Sequence, residues 1–519
     1  MSAEPISAKK HGSALRRLAL SVLQPGFVGT EAPDWILRDI GDGLASVVLF
    51  SRNISSPDQV ARLTAQLRAE NPALIVAIDE EAGDVTRIES ATGSTRPGNF
   101  ALGAVDDPEL TEAVAADLGR QLLAAGVTLD FAPSADVNSN PDNPVIGVRS
   151  FGADADLVSR HTAAWIRGLQ SSGVAACAKH FPGHGDVAAD SHHELPTYDA
   201  DRTGIAAQSL PPFRAAMEAG VRAIMSGHLL VPAHDADLPA TLSRAVLRGL
   251  LREELGFDGL IVSDAIEMGA VTGRHGIDGA TVRAVAAGVD AVCVGGESAE
   301  ESTVDGLATA LVEAVVRGDL AEERLAEAAG RVREFADWSA ALRAAVPARE
   351  AARDIGYVAA RRAVRLTGTA RDTLPLAAPP HVVELVAATN MAIGKETPWG
   401  VAAPLRERLP GTTSARVHGD ELRERAGVLD SRALAPASGR PLVVVVRDAS
   451  RHAWMSRAVA ALVAARPDTV VVEMGLPSDA LTGATQIVTH GASAASGVAA
   501  AELLTGGPRA ADGFHRCVS

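Results

Sequence analysis

A (β/α)8 barrel of the TIM type followed by a smaller α/β sandwich domain is the fold this sequence predicts, and three observations carry it. From about residue 40 to 300, short apolar runs alternate with longer amphipathic stretches rich in Ala, Leu and Arg, the pattern of a parallel sheet covered by helices. A Gly-Val pair recurs at Gly126-Val127, Gly173-Val174, Gly220-Val221 and Gly288-Val289, each time between a helical stretch and an apolar run. Polar residues then gather where the apolar runs end. In a barrel of this kind those ends share one face, where active sites are built.

The apolar runs are LASVVLF (44 to 50), ALIVAI (73 to 78), VTLDFAP (127 to 133), VAACAK (174 to 179), VRAIMS (221 to 226), GLIVSD (259 to 264) and VDAVCV (289 to 294), with one more strand expected near the start. Glycine accepts the left-handed conformation that stops a helix, and β-branched valine suits the strand that follows, so each Gly-Val pair marks where a strand begins. The residues at the run ends are Arg52 and Asn53, Asp79, Asp136, Lys179 and His180, His228, and Asp264. A helical region from about 302 to 343 covers the barrel, and the stretch from Pro347 reads as a boundary. This gives a catalytic barrel over 1–345 and a second domain over 346–519. In the second domain HVVELVAATN, PLVVVVRD, TVVVEMG and TQIVTHG alternate with helices such as 451 to 465, and the same reasoning makes it α/β.

Composition narrows the function. A chain of 519 residues is too long for a single ordinary core. A formal charge of -16 with Lys and Arg evenly spread excludes the basic stripe that nucleic acid requires and fits a neutral or zwitterionic substrate. Three cysteines, Cys177, Cys293 and Cys517, are too few and too scattered for a disulfide framework or a thiolate zinc site. The early run LALSVL is shorter than a signal peptide needs, and no apolar run approaches the ~20 residues of a membrane span. The expectation is a cytoplasmic, soluble protein.

The densest polar stretch runs from Lys179 to His193, KHFPGHGDVAADSHH. It follows an apolar strand, and its Gly and Pro residues forbid a helix, so it forms an irregular loop that aims side chains. Asp190 and His192 stand two apart, and in an extended stretch both point to one face. A carboxylate beside an imidazole fixes its tautomer and raises its basicity, giving a proton shuttle near neutral pH. The same stretch also reads as a solvated loop, or as a metal site using His180, His184, Asp186, Asp190, His192 and His193. Against the metal stands the nearby Lys179, whose charge repels a cation. No metal or other cofactor is expected.

Asp264 ends an apolar strand and is held rigidly by the sheet beneath it, which suits a nucleophile; a helix N-cap is the equal alternative from spacing alone. Asp79, followed by Glu80 and Glu81, suits sugar hydroxyls or a cation. Arg149, in NPVIGVRSFG, is a planar donor for a carboxylate or carbonyl, or one half of a structural ion pair.

The strings KHFPGHGDVAADSHHELP, AIDEEAGDVTRI, LFSRNI, NPVIGVRSFG, MSGHLLVP and LGFDGLIVSDAIEMG resemble, in order and spacing, family 3 glycoside hydrolases of the β-N-acetylglucosaminidase branch. The likeness covers about residues 40 to 296, and the segment after Gly491 is more loosely similar to the second domain of two-domain members. The resemblance implies a retaining, exo-acting enzyme with Asp264 as nucleophile and His192 with Asp190 as the acid/base dyad. Asp79, Arg149, Lys179 and His180 would bind the sugar. It implies a small carbohydrate partner such as a cell-wall turnover fragment or a chitobiose-sized sugar. Phosphorolysis by the same dyad, a β-glucosidase or β-xylosidase specificity, and a non-catalytic sugar-binding protein are the alternatives. The chain departs from the family in having Glu80, Glu81 and Ala82 where Gln and Gly-Gly are usual. Aromatic residues make up only 3% of the chain, so stacking platforms for long glycans are few and short substrates are favoured.

Overall fold

The computed structural model describes residues 4–191, 194–346, 354–368, 374–387, 393–394, 397–477 and 485–507. The chain packs as two compact units. One comprises the described residues within 1–80, 111–146 and 153–351; the other comprises those within 81–110, 147–152 and 352–519.

The strands of the first unit are β1 (Leu23–Pro25), β2 (Ser46–Leu49), β3 (Ile75–Ile78), β4 (Leu129–Asp130), β5 (Ala175–Phe181), β6 (Ala223–Ser226), the hairpin β7 (Leu230–Val231) and β8 (Asp235–Pro239), β9 (Leu260–Ser263) and β10 (Val292–Val294). β2, β3, β4, β5, β6 and β9 form one parallel ladder in that order. A parallel bridge from Val262 to Ala291 continues it toward β10, and β10 pairs in parallel with β1. The sheet thus curls through eight parallel strands, and among the described residues no ladder joins β1 to β2. Each expected apolar run overlaps one of these strands, β5 running two residues past its run, with β1 as the additional early strand.

The Gly-Val punctuation works as the sequence suggests. Gly126, Gly173, Gly220 and Gly288 have φ of +80°, +88°, +80° and +139°, where a Cβ is disfavoured, and each lies just before a strand. Helix starts carry their own signals: Asp154 accepts the Leu157 N–H at 2.8 Å to open Ala155–Ser171, and Ser56 with Pro57 opens Pro57–Glu70.

Alternation along the strands builds the barrel core. Ile75 and Ala77, Leu129 and Phe131, Ala175 and Cys177, Ala223 and Met225, Leu260 and Val262, and Ala291 and Cys293 all enter one buried cluster, closed by Val332, Phe335 and Ala336 of helix Glu322–Ala345. Members of each strand pair stand two residues apart, the period of a strand with one face inward.

Charged residues at the opposite strand ends serve stability. Asp290, just before β10, accepts from Arg324 Nη2 at 2.8 Å, Arg252 Nη2 at 2.5 Å and the Ile261 N–H at 3.0 Å. Arg324 also donates to the carbonyls of Val285 and Val289 at 3.0 and 2.7 Å, so a buried acid and two guanidinium groups knit the lower rim.

The second unit holds a six-stranded sheet of β11 (Arg365–Thr367), β12 (His381–Val386), β13 (Thr413–His418), β14 (Leu442–Val446), β15 (Val470–Glu473) and β16 (Thr485–Val488), in the order β11-β16-β15-β14-β12-β13. All neighbours run parallel except the edge strand β11, which is antiparallel to β16. Apolar clusters cover both faces, one around Val383, Val444 and Met455, the other around Val382, Val443 and Ile487. Residues 81–110 and 147–152 pack with this unit through specific ties. Asp84 accepts from the Ala492 N–H at 2.8 Å and pairs with Arg447, and Arg362 Nη1 meets Asp107 at 2.7 Å. Burial pushes the Asp84 carboxyl up, and Arg447 opposes that.

Candidate active site

The inward alternation of the strands reaches the proposed site directly. Asp79 stands two residues beyond Ala77, Lys179 two beyond Cys177 and Asp264 two beyond Val262, each in phase with a residue of the barrel core. Lys179 is 2% exposed, and its Nζ donates to Asp79 Oδ1. The thiols of Cys177 and Cys293, one layer below, are pushed up by burial and feel the charges of both Asp79 and Asp264. Three charged groups from three strand ends thus share the mouth of the first unit.

Asp264 is part-exposed at the end of β9. Its N–H donates to the Ser226 carbonyl at 3.1 Å, and its Oδ1 accepts the Ala265 N–H at 2.8 Å. The next residue is held from β6: His228 Nε2 lies 3.0 Å from the Ala265 carbonyl, and a carbonyl only accepts, so Nε2 carries a proton. His228 Nδ1 lies 2.8 Å from Thr241 Oγ1, which fixes the ring. No long polar helix follows immediately; the next helix begins at Gly269, with Met268 at its cap. The N-cap alternative for Asp264 therefore finds no support in this geometry.

His180 is organised by an acid from another strand end. Asp136 is fully buried beyond β4, and its Oδ2 lies 2.7 Å from His180 Nδ1 and accepts from Ser134 Oγ at 3.0 Å. Its Oδ1 accepts the N–H groups of His180 and His184 at 3.2 and 2.6 Å. Burial alone would raise the Asp136 carboxyl, but the charge and hydrogen bond of His180, with His184 behind it, outweigh burial and hold it below the usual carboxylate range. His184 is the opposite case. Burial, aided by the like charge of His180, pushes its imidazole down to about 4, so it is neutral at pH 7. Its Nε2 lies 3.1 Å from Ser191 Oγ, which ties the loop beside Asp190 back to the core of the site.

His192 lies outside the described residues, as does His193. Asp190 is part-exposed in the loop that precedes them. Arg149 belongs to the second unit, where its Nε and Nη2 grip the Glu81 carboxylate with distances from 2.6 to 3.2 Å, both partners buried. Glu80 is also buried, and its N–H donates to Asp130 Oδ1 at 3.0 Å; burial pushes Asp130 well up, which favours its neutral form. Ala82 adopts φ +60°, a left-handed turn that an alanine occupies at some cost. Of the two acids that follow Asp79, Glu81 goes into an internal ion pair.

Sequence reasoning passed over the partnership of Asp136 with His180. Asp136 stood among the strand-end groups, but nothing in local spacing pairs it with a residue 44 positions on. Arg52 and Asn53 take up backbone carbonyls of the barrel rim instead of facing an open site.

Residues 30–335 match the family described as Glycosyl hydrolase family 3 N terminal domain. The chain belongs to glycosyl hydrolase family 3. It is 39% identical over 285 residues to a β-hexosaminidase of Thiobacillus denitrificans, an alignment spanning 53% of this chain and 77% of that one. It is 36% identical over 296 residues to β-hexosaminidase A of Pseudoalteromonas piscicida, where the match spans 48% of the relative's length. Among solved structures, a family 3 β-N-acetylglucosaminidase from Paenibacillus sp. str. FPU-7 superposes with a TM-score of 0.83 at 33% identity, covering 95% of this chain and 96% of that one. That likeness spans both units, so the barrel and the second sheet belong to a shared family 3 fold, and the protein is a glycoside hydrolase acting on a sugar. No helix among the described residues is long and apolar enough to cross a membrane.

Proposed function

We propose that this family 3 glycoside hydrolase is a retaining, exo-acting β-N-acetylglucosaminidase that removes terminal β-linked N-acetylglucosamine from short glycans. The observation that carries the reading is the placement of Asp264, Asp79 and Lys179 in phase with the inward residues of three strands, in a chain whose relatives are named β-hexosaminidases. An Asp264 oxygen attacks the anomeric carbon as the bond to the leaving oxygen breaks, and the imidazolium of His192 gives that oxygen its proton. Neutral His192 then takes a proton from water, whose oxygen displaces Asp264 from the sugar and restores the free carboxylate. Asp190 holds the His192 tautomer. Asp79, Lys179 and His180 bind sugar hydroxyls, with Asp136 fixing the His180 ring, and Arg149 serves the same sugar as the family resemblance implies. The second domain belongs to residues from about 346 onward, joined by the two earlier segments that pack with it. Cell-wall turnover fragments or chitobiose-sized sugars in the cytoplasm are the proposed setting.

Asp264→Asn tests the reading. It lowers turnover of 4-nitrophenyl β-N-acetylglucosaminide at least about a thousandfold with an unchanged circular dichroism spectrum. A near-normal rate removes Asp264 from the mechanism. Mass spectrometry of the wild-type products in phosphate buffer shows free N-acetylglucosamine; its 1-phosphate would make the enzyme a phosphorylase.

A further inference from the structure

We propose that Arg52 and Glu267 are positioning residues for Asp264, acting through the turn 295–297 that they grip from opposite sides. The proposal rests on Asp264 being the nucleophile. Arg52 Nη1 donates to the Gly296 carbonyl at 2.7 Å, Nη2 donates to the Gly295 carbonyl, and Nε reaches across to the Phe27 carbonyl at 3.0 Å. Glu267 Oε1 accepts the N–H groups of Gly295 and Glu297 at 2.9 and 3.1 Å. A guanidinium therefore takes the carbonyls of the turn, and a carboxylate takes its amides.

The place is mechanically special. Between β1 and β2 no ladder forms among the described residues, and side chains bridge the rim there: Asn53 Nδ2 donates to the carbonyls of Phe27 and Gly29 at 2.9 and 2.8 Å, beside the bond from Arg52. At Gly295 the turn beside this seam leaves no room for a side chain. Gly295 has φ +109°, and a Cβ on it would lie 2.5 Å from the Gly26 nitrogen.

Glu267 is three residues beyond Asp264, on the same irregular segment. The segment is also anchored by the Asp264 N–H on the Ser226 carbonyl at 3.1 Å, by the Ile266 N–H on the Cys293 carbonyl at 2.9 Å and by His228 on Ala265. Glu267 ties its far end to the turn 295–297. Oε2 of Glu267 is buried without a hydrogen-bond partner, so Oε1 and the charge of Arg52 set the orientation of the side chain. A carboxylate that must attack an anomeric carbon tolerates about 0.5 Å of error, and a misplacement of about 1 Å costs on the order of a hundredfold in rate.

The test uses steady-state kinetics on 4-nitrophenyl β-N-acetylglucosaminide, well below each variant's unfolding midpoint. Glu267→Ala and Arg52→Lys lower kcat/KM by about tenfold to a hundredfold. The inhibition constant of free N-acetylglucosamine stays within about twofold, since ground-state binding does not need the nucleophile in line. Glu267→Gln retains an Oε1 acceptor for both amides and recovers most of the rate. Rates within about twofold of wild type for folded Glu267→Ala or Arg52→Lys overturn the proposal. So does a Glu267→Gln variant as slow as Glu267→Ala at the same unfolding midpoint. If instead Asp264→Asn is active, the underlying assignment of the nucleophile fails.

Discussion

The neutral, buried imidazole of His184 makes the stability of the first unit depend on pH in a direction the structure dictates. In the unfolded chain a histidine titrates near about 6.5; in the folded protein burial lowers His184 to about 4. Between those values the unfolded chain binds a proton that the folded one refuses, so stability is present above pH 6.5 and is lost as the pH falls toward 4. An interval of about 2.5 pH units, at about 1.4 kcal/mol each, amounts to roughly 3 kcal/mol. Other buried groups contribute with the opposite sign: Asp290 and Asp130 are held above the usual carboxylate range by burial and lose stability as the pH rises. A single wild-type curve therefore mixes terms, and the measurement is a difference. Urea unfolding of wild type and His184→Asn at pH 7 and pH 4.5 isolates His184, because the cost of changing the ring's shape is the same at both. The backbone bond from residue 184 to Asp136 survives the substitution. The gap between wild type and variant is expected to be larger at pH 7 by about 2 to 3 kcal/mol. A gap that does not change with pH would show that the folded protein takes up the His184 proton as readily as the unfolded chain does, and would refute the reasoning.

Other outcomes follow from the same structure. Asp290→Ala leaves Arg252 and Arg324 without their shared buried carboxylate and costs about 3 to 5 kcal/mol in denaturant unfolding, while kcat and KM of the folded enzyme stay unchanged because Asp290 lies at the strand ends away from the site. Arg149→Met removes the guanidinium partner of the buried Glu81 carboxylate and destabilises by a similar amount of about 3 to 5 kcal/mol; KM rises severalfold more than in a variant of equal stability altered elsewhere. Dialysis against a chelator leaves turnover of the aryl glycoside unchanged. A loss restored by a divalent cation would return the loop after Lys179 to the metal reading.

What the sequence determined by itself is everything written in local period and local punctuation. The alternation through Ala77 to Asp79, Cys177 to Lys179 and Val262 to Asp264 placed three charges on the inward face, because a strand repeats every two residues. The Gly-Val pairs located strand starts, since positive φ is a property of a single residue. Edge strands β11 and β13 escaped notice because exposed edges need no apolar pattern: Thr413–His418 buries one residue fully. Only the tertiary structure decided that Asp136 serves His180. Asp190 and His192 are neighbours along the chain, whereas Asp136 meets His180 across two strands. It also divided the polar strand ends by role, turning Arg52 and Asn53 into ties along a seam and Glu81 into the partner of Arg149. It sent residues 81–110 and 147–152 to the second unit. The physical reason is that an ion pair or a buried carboxylate depends on distance in space, and residues far apart in sequence acquire that distance only when the whole chain has packed.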